Sequence, residues 1–61
     1  MNSVQKPKIL VADDENTIRL AFENLLTTNN YEPILARDGI EALELFKQHK
    51  PPVCVIDIKM P

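Results

Sequence analysis

The sequence is short of cysteine, histidine and basic residues, and each shortage excludes a class of protein. The one cysteine in 61 residues cannot form an intramolecular disulfide, and with a single histidine it cannot supply the usual ligands of a zinc site. The net charge is −2 without a basic cluster, so direct contact with nucleic acid is not expected. No apolar run approaches the roughly 20 residues of a membrane-spanning helix. With a polar tail over residues 1–7 that lacks a signal-peptide core, these shortages favour a cytoplasmic protein.

What the sequence does have is a regular alternation of two hydrophobic patterns. Short, mainly apolar runs at 8–12, 31–36 and 53–56 are typical of strands in parallel sheets, which are covered on both faces. Cys54, inside the last run, is therefore expected to be buried. Between the runs lie two stretches whose apolar residues have helical spacing and are expected to form the covered face of a helix: Ile18, Ala21, Phe22, Leu25 and Leu26, and then Ala42, Leu43 and Phe46. Phe22 and Phe46 are expected to be core residues. The chain is predicted to form strand, helix, strand, helix, strand.

Polar residues and proline mark the ends of these elements. The first helix is expected to begin at Glu15 or Asn16. Asp38 and Glu41 have the spacing of a capping box at the start of the second helix. Pro33 lacks an amide hydrogen, so it is expected either on an edge strand or at the start of a strand.

The alternation predicts an α/β fold with parallel strands and right-handed crossovers. If the strand order is 2-1-3, the first and third strands are neighbours, and their carboxyl ends lie at the edge where such sheets bind ligands. Asp13 and Asp14 directly follow the first strand, and Asp57 follows the third. This order would bring three carboxylates to one small site.

Three neighbouring carboxylates repel one another unless a proton or a cation lies among them. Their oxygens suit Mg²⁺, which keeps several waters and is often bound through one or two carboxylates. A carboxylate beside such an ion can act as a nucleophile toward phosphorus. A simpler interpretation stays open, in which Asp13 and Asp14 complement a helix dipole and Asp57 is a solvated turn residue.

Three motifs in order, "ILVADDE", "DGIEALELF" and "VIDIKMP", resemble the amino-terminal half of a response-regulator receiver domain from two-component signalling. The resemblance implies a partial doubly wound, flavodoxin-like sheet over residues 8–61. It also implies that Asp57 accepts a phosphoryl group from the phosphohistidine of a histidine kinase or phosphotransfer protein. Asp13, Asp14 and Asp57 would hold Mg²⁺, with the backbone carbonyl of Lys59 completing the protein ligands.

The resemblance ends with the chain at Pro61, so an incomplete, truncated receiver domain is expected. The later strands of complete receivers supply a Ser or Thr and a Lys that contact the phosphoryl group. Without those strands, the third strand would be an exposed apolar edge. Such an edge could pair with a second copy of the chain or with the missing half of the domain.

Two other functions stay open at this point. A Mg²⁺-dependent phosphotransfer enzyme of the haloacid-dehalogenase type also uses a nucleophilic aspartate. That type expects a second aspartate two residues later, where this chain has Lys59. A non-phosphorylated interaction or assembly module would have no use for the acid triad. The favoured prediction is a phosphoacceptor module that is not itself an enzyme.

Overall fold

Two helices alternate with three strands along residues 6–57, the part of the chain that the computed structural model describes. In chain order the elements are β1 (Lys8–Ala12), α1 (Asn16–Thr28), β2 (Glu32–Ala36), α2 (Gly39–His49) and β3 (Val53–Ile56). This order confirms the predicted α/β class. Within the same range, neither helix is long and apolar enough to cross a membrane.

Strand β1 lies at the centre of one parallel sheet whose order is β2-β1-β3. Its last residue, Ala12, is opposite both Ala36 of β2 and Ile56 of β3. The predicted order 2-1-3 is therefore confirmed. Pro33 lies on an edge strand, where a residue without an amide hydrogen is tolerated because one side of the strand has no hydrogen-bonded neighbour among the described strands. Because the strands are parallel and end together at Ala12, their carboxyl ends lie side by side.

Both faces of β1 are buried, each under a different helix. On one face Leu10 packs in a cluster with Ala42 of α2, and on the other Val11 packs with Leu26 of α1. Leu10 and Val11 are each only 1% exposed. Full burial of such side chains contributes about 1.5–3 kcal/mol each. Coverage on both faces explains why this run is apolar throughout and does not alternate with polar residues.

A Schellman motif ends α1 and turns the chain into β2. Asn30 adopts a left-handed conformation with φ of 66°. Its N–H donates to the carbonyl of Thr27 at 3.2 Å, and the N–H of Tyr31 donates to the carbonyl of Leu26 at 2.8 Å. Asparagine tolerates the left-handed conformation better than most residues, so it can close the helix where glycine is more usual.

The start of α2 differs in one contact from the predicted capping box. The Asp38 side chain accepts a hydrogen bond from the Glu41 N–H at 2.8 Å, as predicted. The Glu41 carboxylate, however, accepts from the N–H of Arg37 at 2.7 Å, one residue before the cap. The Arg37 Nε also lies 3.6 Å from the same carboxylate oxygen, so the arginine supplies both a backbone donor and a charge at that position.

Strand β3 is exposed, and the prediction that Cys54 is buried is wrong for this chain. Val53, Val55 and Ile56 are 48%, 37% and 47% exposed. Among the described elements, no Cα atom of either helix lies within 8 Å of a Cα atom of β3. A strand is buried by its neighbours and not by its own sequence, and β3 is paired here only with β1. The expected exposed apolar edge is therefore present.

The apolar surface continues from β3 onto α2. A cleft of about 280 Å³ separates the two elements, and its lining includes Cys54, Leu43 and Phe46. Leu43 and Phe46 were expected on the covered face of the helix, but they are 55% and 43% exposed. These two side chains line the cleft together with residues of β3, the strand that neither described helix covers.

The exposed edge predicts that the chain self-associates as its concentration rises, as measured by sedimentation velocity. Val53→Lys should weaken this association, because a charge on an edge strand opposes pairing with another strand. Leu20→Lys is the matched control, since Leu20 of α1 is 47% exposed and carries the new charge outside β3. A monodisperse, cooperatively unfolding monomer at all concentrations would contradict the prediction.

Candidate metal centre

Backbone hydrogen bonds extend the sheet by one residue and bring the acidic residues to its edge. The Asp57 N–H donates to the carbonyl of Ala12 at 2.9 Å, which places Asp57 beside the end of β1. The Asp13 N–H donates to the carbonyl of Ala36 at 3.1 Å, on the β2 side. The position of Asp57 relative to Asp13 is thus fixed by parallel pairing.

Three carboxylates come together at this edge, as the strand order predicts. One oxygen from each of Asp13, Asp14 and Asp57 can be chosen so that all three lie within 4.8 Å of one another. Asp13 is buried, Asp57 is half-buried and Asp14 is exposed. The cluster therefore runs from the interior to the surface, which would leave an ion there access to water.

Asp13 is held from both its side chain and its backbone. Its Oδ1 accepts a hydrogen bond from the N–H of Glu15 at 2.9 Å, which forms a tight turn between β1 and α1. Its backbone carbonyl accepts from Nη1 of Arg19 at 2.7 Å. The side chain of Glu15, which precedes α1, makes no capping hydrogen bond. The buried carboxylate of Asp13 is therefore fixed by the backbone of the turn.

Sequence reasoning did not single out Arg19. A signal was present, because a cation near the N-terminus of a helix is unfavourable with the helix dipole and needs another reason to be there. The reason in this structure is the Asp13 carbonyl six residues earlier, together with Oδ1 of Asn16 at 3.3 Å from Nη2. Only the geometry of the turn shows that the arginine reaches back to the acidic pair.

A cleft of about 270 Å³ opens beside the acidic cluster on the α1 side of the sheet. Its polar end is formed by Asp13, Asp57 and Glu15, and its floor by apolar residues that include Phe22 and Val55. The acidic groups thus border a space large enough for a small anion and its water. Phe22, predicted to be core, is half-buried and packs against the α1-side cluster while also lining this cleft.

The donor set of the cluster fits a hard divalent cation. It consists of carboxylate oxygens, and no histidine or cysteine belongs to it among residues 6–57. Oxygen ligands with room for several waters match Mg²⁺, and a cation would relieve the repulsion among three negative charges. Lys59, whose carbonyl was predicted as a further ligand, lies outside the described residues. The ligand roles of the three aspartates stay predictions.

A partial parallel α/β sheet with an acidic cluster at the carboxyl ends of adjacent strands is the arrangement that the resemblance to receiver domains leads one to expect. Comparison with protein families gives the same answer, since the model of the response regulator receiver domain matches residues 9–61. The chain belongs to the response regulator receiver family. The three motifs that suggested this family lie within the matched range, and the recognition from sequence is confirmed.

The curated relatives are regulators that are longer than this chain. The chain is 48% identical to "Probable transcriptional regulator ycf27" of Porphyridium aerugineum over 58 residues, which are 95% of this chain and 24% of the relative. The Porphyra purpurea protein of the same name is 49% identical over 93% of this chain and 24% of its own length. "Response regulator MprA" of Mycobacterium sp. (strain KMS) is 41% identical over 88% of this chain and 24% of the relative. The chain thus spans 24% of the length of these relatives.

The crowding of the carboxylates predicts that Asp14→Asn raises the free energy of unfolding when a chelator keeps divalent cations away. The gain should be about 1 kcal/mol at low salt, because one of three neighbouring negative charges is removed, and it should shrink at high salt. Urea unfolding followed by circular dichroism measures it. Glu44→Gln, which neutralises an exposed acid of α2 outside the cluster, is the control. An equal change in the free energy of unfolding for both substitutions would contradict the prediction that the three carboxylates repel one another.

Proposed function

We propose that the chain is the phosphoacceptor part of a two-component signalling protein, with Asp57 receiving the phosphoryl group. The donor is the phosphohistidine of a histidine kinase or of a phosphotransfer protein. A carboxylate oxygen of Asp57 forms the new bond to phosphorus while the phosphorus–nitrogen bond of the donor breaks. The electron pair of that bond leaves with the imidazole nitrogen. The chain is in this sense a substrate of the kinase and not a classical enzyme.

The observation that carries the proposal is the meeting of Asp57 with Asp13 and Asp14 at the end of two paired strands. The Asp57 N–H is bonded to Ala12, so its backbone has a fixed place in the sheet. The cleft beside the cluster gives a phosphoryl group a way to approach. A solvated turn residue would need none of these features, so they favour a chemical role over the simpler interpretation.

Mg²⁺ would be held by Asp13, Asp14 and Asp57. When bound, the ion would neutralise charge on the transferring phosphoryl group and on the acceptor. The buried Asp13, already oriented by the Glu15 N–H, is suited to a fixed position, and the exposed Asp14 to direct contact with an ion that keeps its waters. We assign the Lys59 backbone carbonyl as a further ligand on the resemblance alone.

The partner and the output follow from the family and the names of the relatives. Receiver domains work with histidine kinases, so a kinase is the proposed partner, in the cytoplasm. Two of the relatives are named as probable transcriptional regulators, which supports a role upstream of transcription. The chain itself has a net charge of −2, so DNA contact is not assigned to it.

A second candidate function is an assembly module that is not phosphorylated. The exposed apolar surface of β3 and its neighbouring clefts favours it, because such a surface is suited to pairing with a second copy or with the rest of a receiver domain. An intact acid cluster is not required for this function. Phosphorylation therefore discriminates between the two candidates.

The test is the intact mass of the chain after incubation with Mg²⁺ and a small-molecule phosphodonor. The expected result is the gain of one phosphoryl group, abolished by Asp57→Asn and by replacing Mg²⁺ with a chelator. Glu44→Gln should leave the gain unchanged, because this acid lies outside the cluster. The same incubation with the remaining part of a receiver domain added in trans shows whether later strands are needed. No gain in either setting, or a gain that persists in Asp57→Asn, contradicts the proposed function.

A further inference from the structure

Arg19 makes a contact beside the acidic cluster that the proposed chemistry does not use. Its Nη1 donates to the backbone carbonyl of Asp13 at 2.7 Å, and its Nη2 lies 3.3 Å from Oδ1 of Asn16. The arginine is half-buried on α1, and its short bond to Asp13 is partly shielded from water. Hydrogen bonds from a charged donor are roughly twice as strong as neutral ones.

The carbonyl that Arg19 contacts belongs to the peptide bond between Asp13 and Asp14. A peptide unit is planar, so fixing this carbonyl also fixes the direction in which the chain enters Asp14. The other groups of Asp13 are already held, the N–H by Ala36 and the carboxylate by the Glu15 N–H. Arg19 therefore fixes the orientation of the peptide unit from which Asp14 and its exposed carboxylate extend.

We propose that Arg19 is a positioning residue, which orients the Asp13–Asp14 peptide and so preorganises the acidic pair for a divalent cation. The inference deepens the proposed function and rests on it. The expected effect of Arg19 on cation affinity is opposite to the effect of its charge alone. As a positive charge near the site, Arg19 opposes the binding of a cation, whereas as a clamp on the peptide it favours binding. The sign of the change in cation affinity therefore separates the two effects.

The experiment is a Mg²⁺ titration of the chain followed by amide chemical shifts. Arg19→Gln should weaken binding by about tenfold, as the loss of an orienting group around a metal typically does. Arg19→Lys should recover part of this loss, because an ammonium group can still donate to the Asp13 carbonyl. Arg37→Gln is the matched control, since Arg37 follows β2 at the same edge of the sheet but pairs with Glu41. It should leave the affinity unchanged or slightly raised.

A second readout needs no metal and separates the inference from the proposed function. Hydrogen exchange of the Glu15 amide, which donates to Asp13 Oδ1, should speed up in the metal-free Arg19→Gln chain and recover in Arg19→Lys. The Asp57 amide, held by Ala12, should not change. Two results together would contradict the proposed metal site: faster exchange at the turn in Arg19→Gln, and Mg²⁺ binding that Asp14→Asn does not weaken. Arg19 would then hold the turn without a role toward that metal.

Two results overturn the inference while leaving the proposed function in place. One is a Mg²⁺ affinity in Arg19→Gln that is equal to or tighter than that of the unchanged chain, which would mean that the charge matters and the clamp does not. The other is a loss that Arg19→Lys fails to recover, accompanied by an equal rise in exchange across the whole sheet. That pattern would assign Arg19 to general stability alone.

Discussion

Parallel pairing of β1 with β3 is the interaction on which the candidate site depends. The two strands are hydrogen-bonded over the whole of β3 and end together opposite Ala12. Residues that are far apart in sequence, Asp14 and Asp57, become neighbours only because of this register. A shift of the register by one residue would carry Asp57 along the strand axis by about 3.3 Å. Such a shift would also turn the apolar residues of β3 to opposite faces.

The central strand β1 can hold this register because the two helices bury its two faces. Leu10 and Val11 anchor β1 under one helix each, and the turn at Asn30 returns the chain to pair β2 on the other side. The same arrangement leaves β3 paired only with β1 and covered by neither helix, whereas β2, the other edge strand, packs against both helices. The element that carries the proposed phosphoacceptor is thus the least supported strand of the sheet, and any neighbour of β3 would also stabilise the site.

Much of this architecture could be predicted from the sequence, because the deciding signals are local. Unbroken apolar runs and helical spacing predict the elements, and the alternation of elements predicts parallel pairing. Asp13 and Asp57 could be placed together because each directly follows a strand. Features that depend on distant neighbours could not be predicted in this way. The exposure of Cys54 reflects what lies around β3 and not the residues within it.

Two polar contacts also escaped prediction, for a related reason. Arg19 reaches a carbonyl in the turn before its helix, and Glu41 bonds the amide of Arg37 instead of the amide of the cap. Both depend on where a turn directs a backbone group, which residue spacing alone does not determine. The general character of the site, three carboxylates at a strand edge, follows from topology, whereas its finer orientation follows from these turns.

We expect β1 and β3 to bring one cation site together from the two ends of the described chain. Paramagnetic line broadening by a trace of Mn²⁺, which takes the same oxygen ligands as Mg²⁺, tests it most directly. The amide signals of Asp13, Asp14 and Asp57 should broaden together, and Mg²⁺ in excess should reverse the effect. Broadening centred on Asp38 and Glu41, or at Asp14 without Asp57, would contradict it.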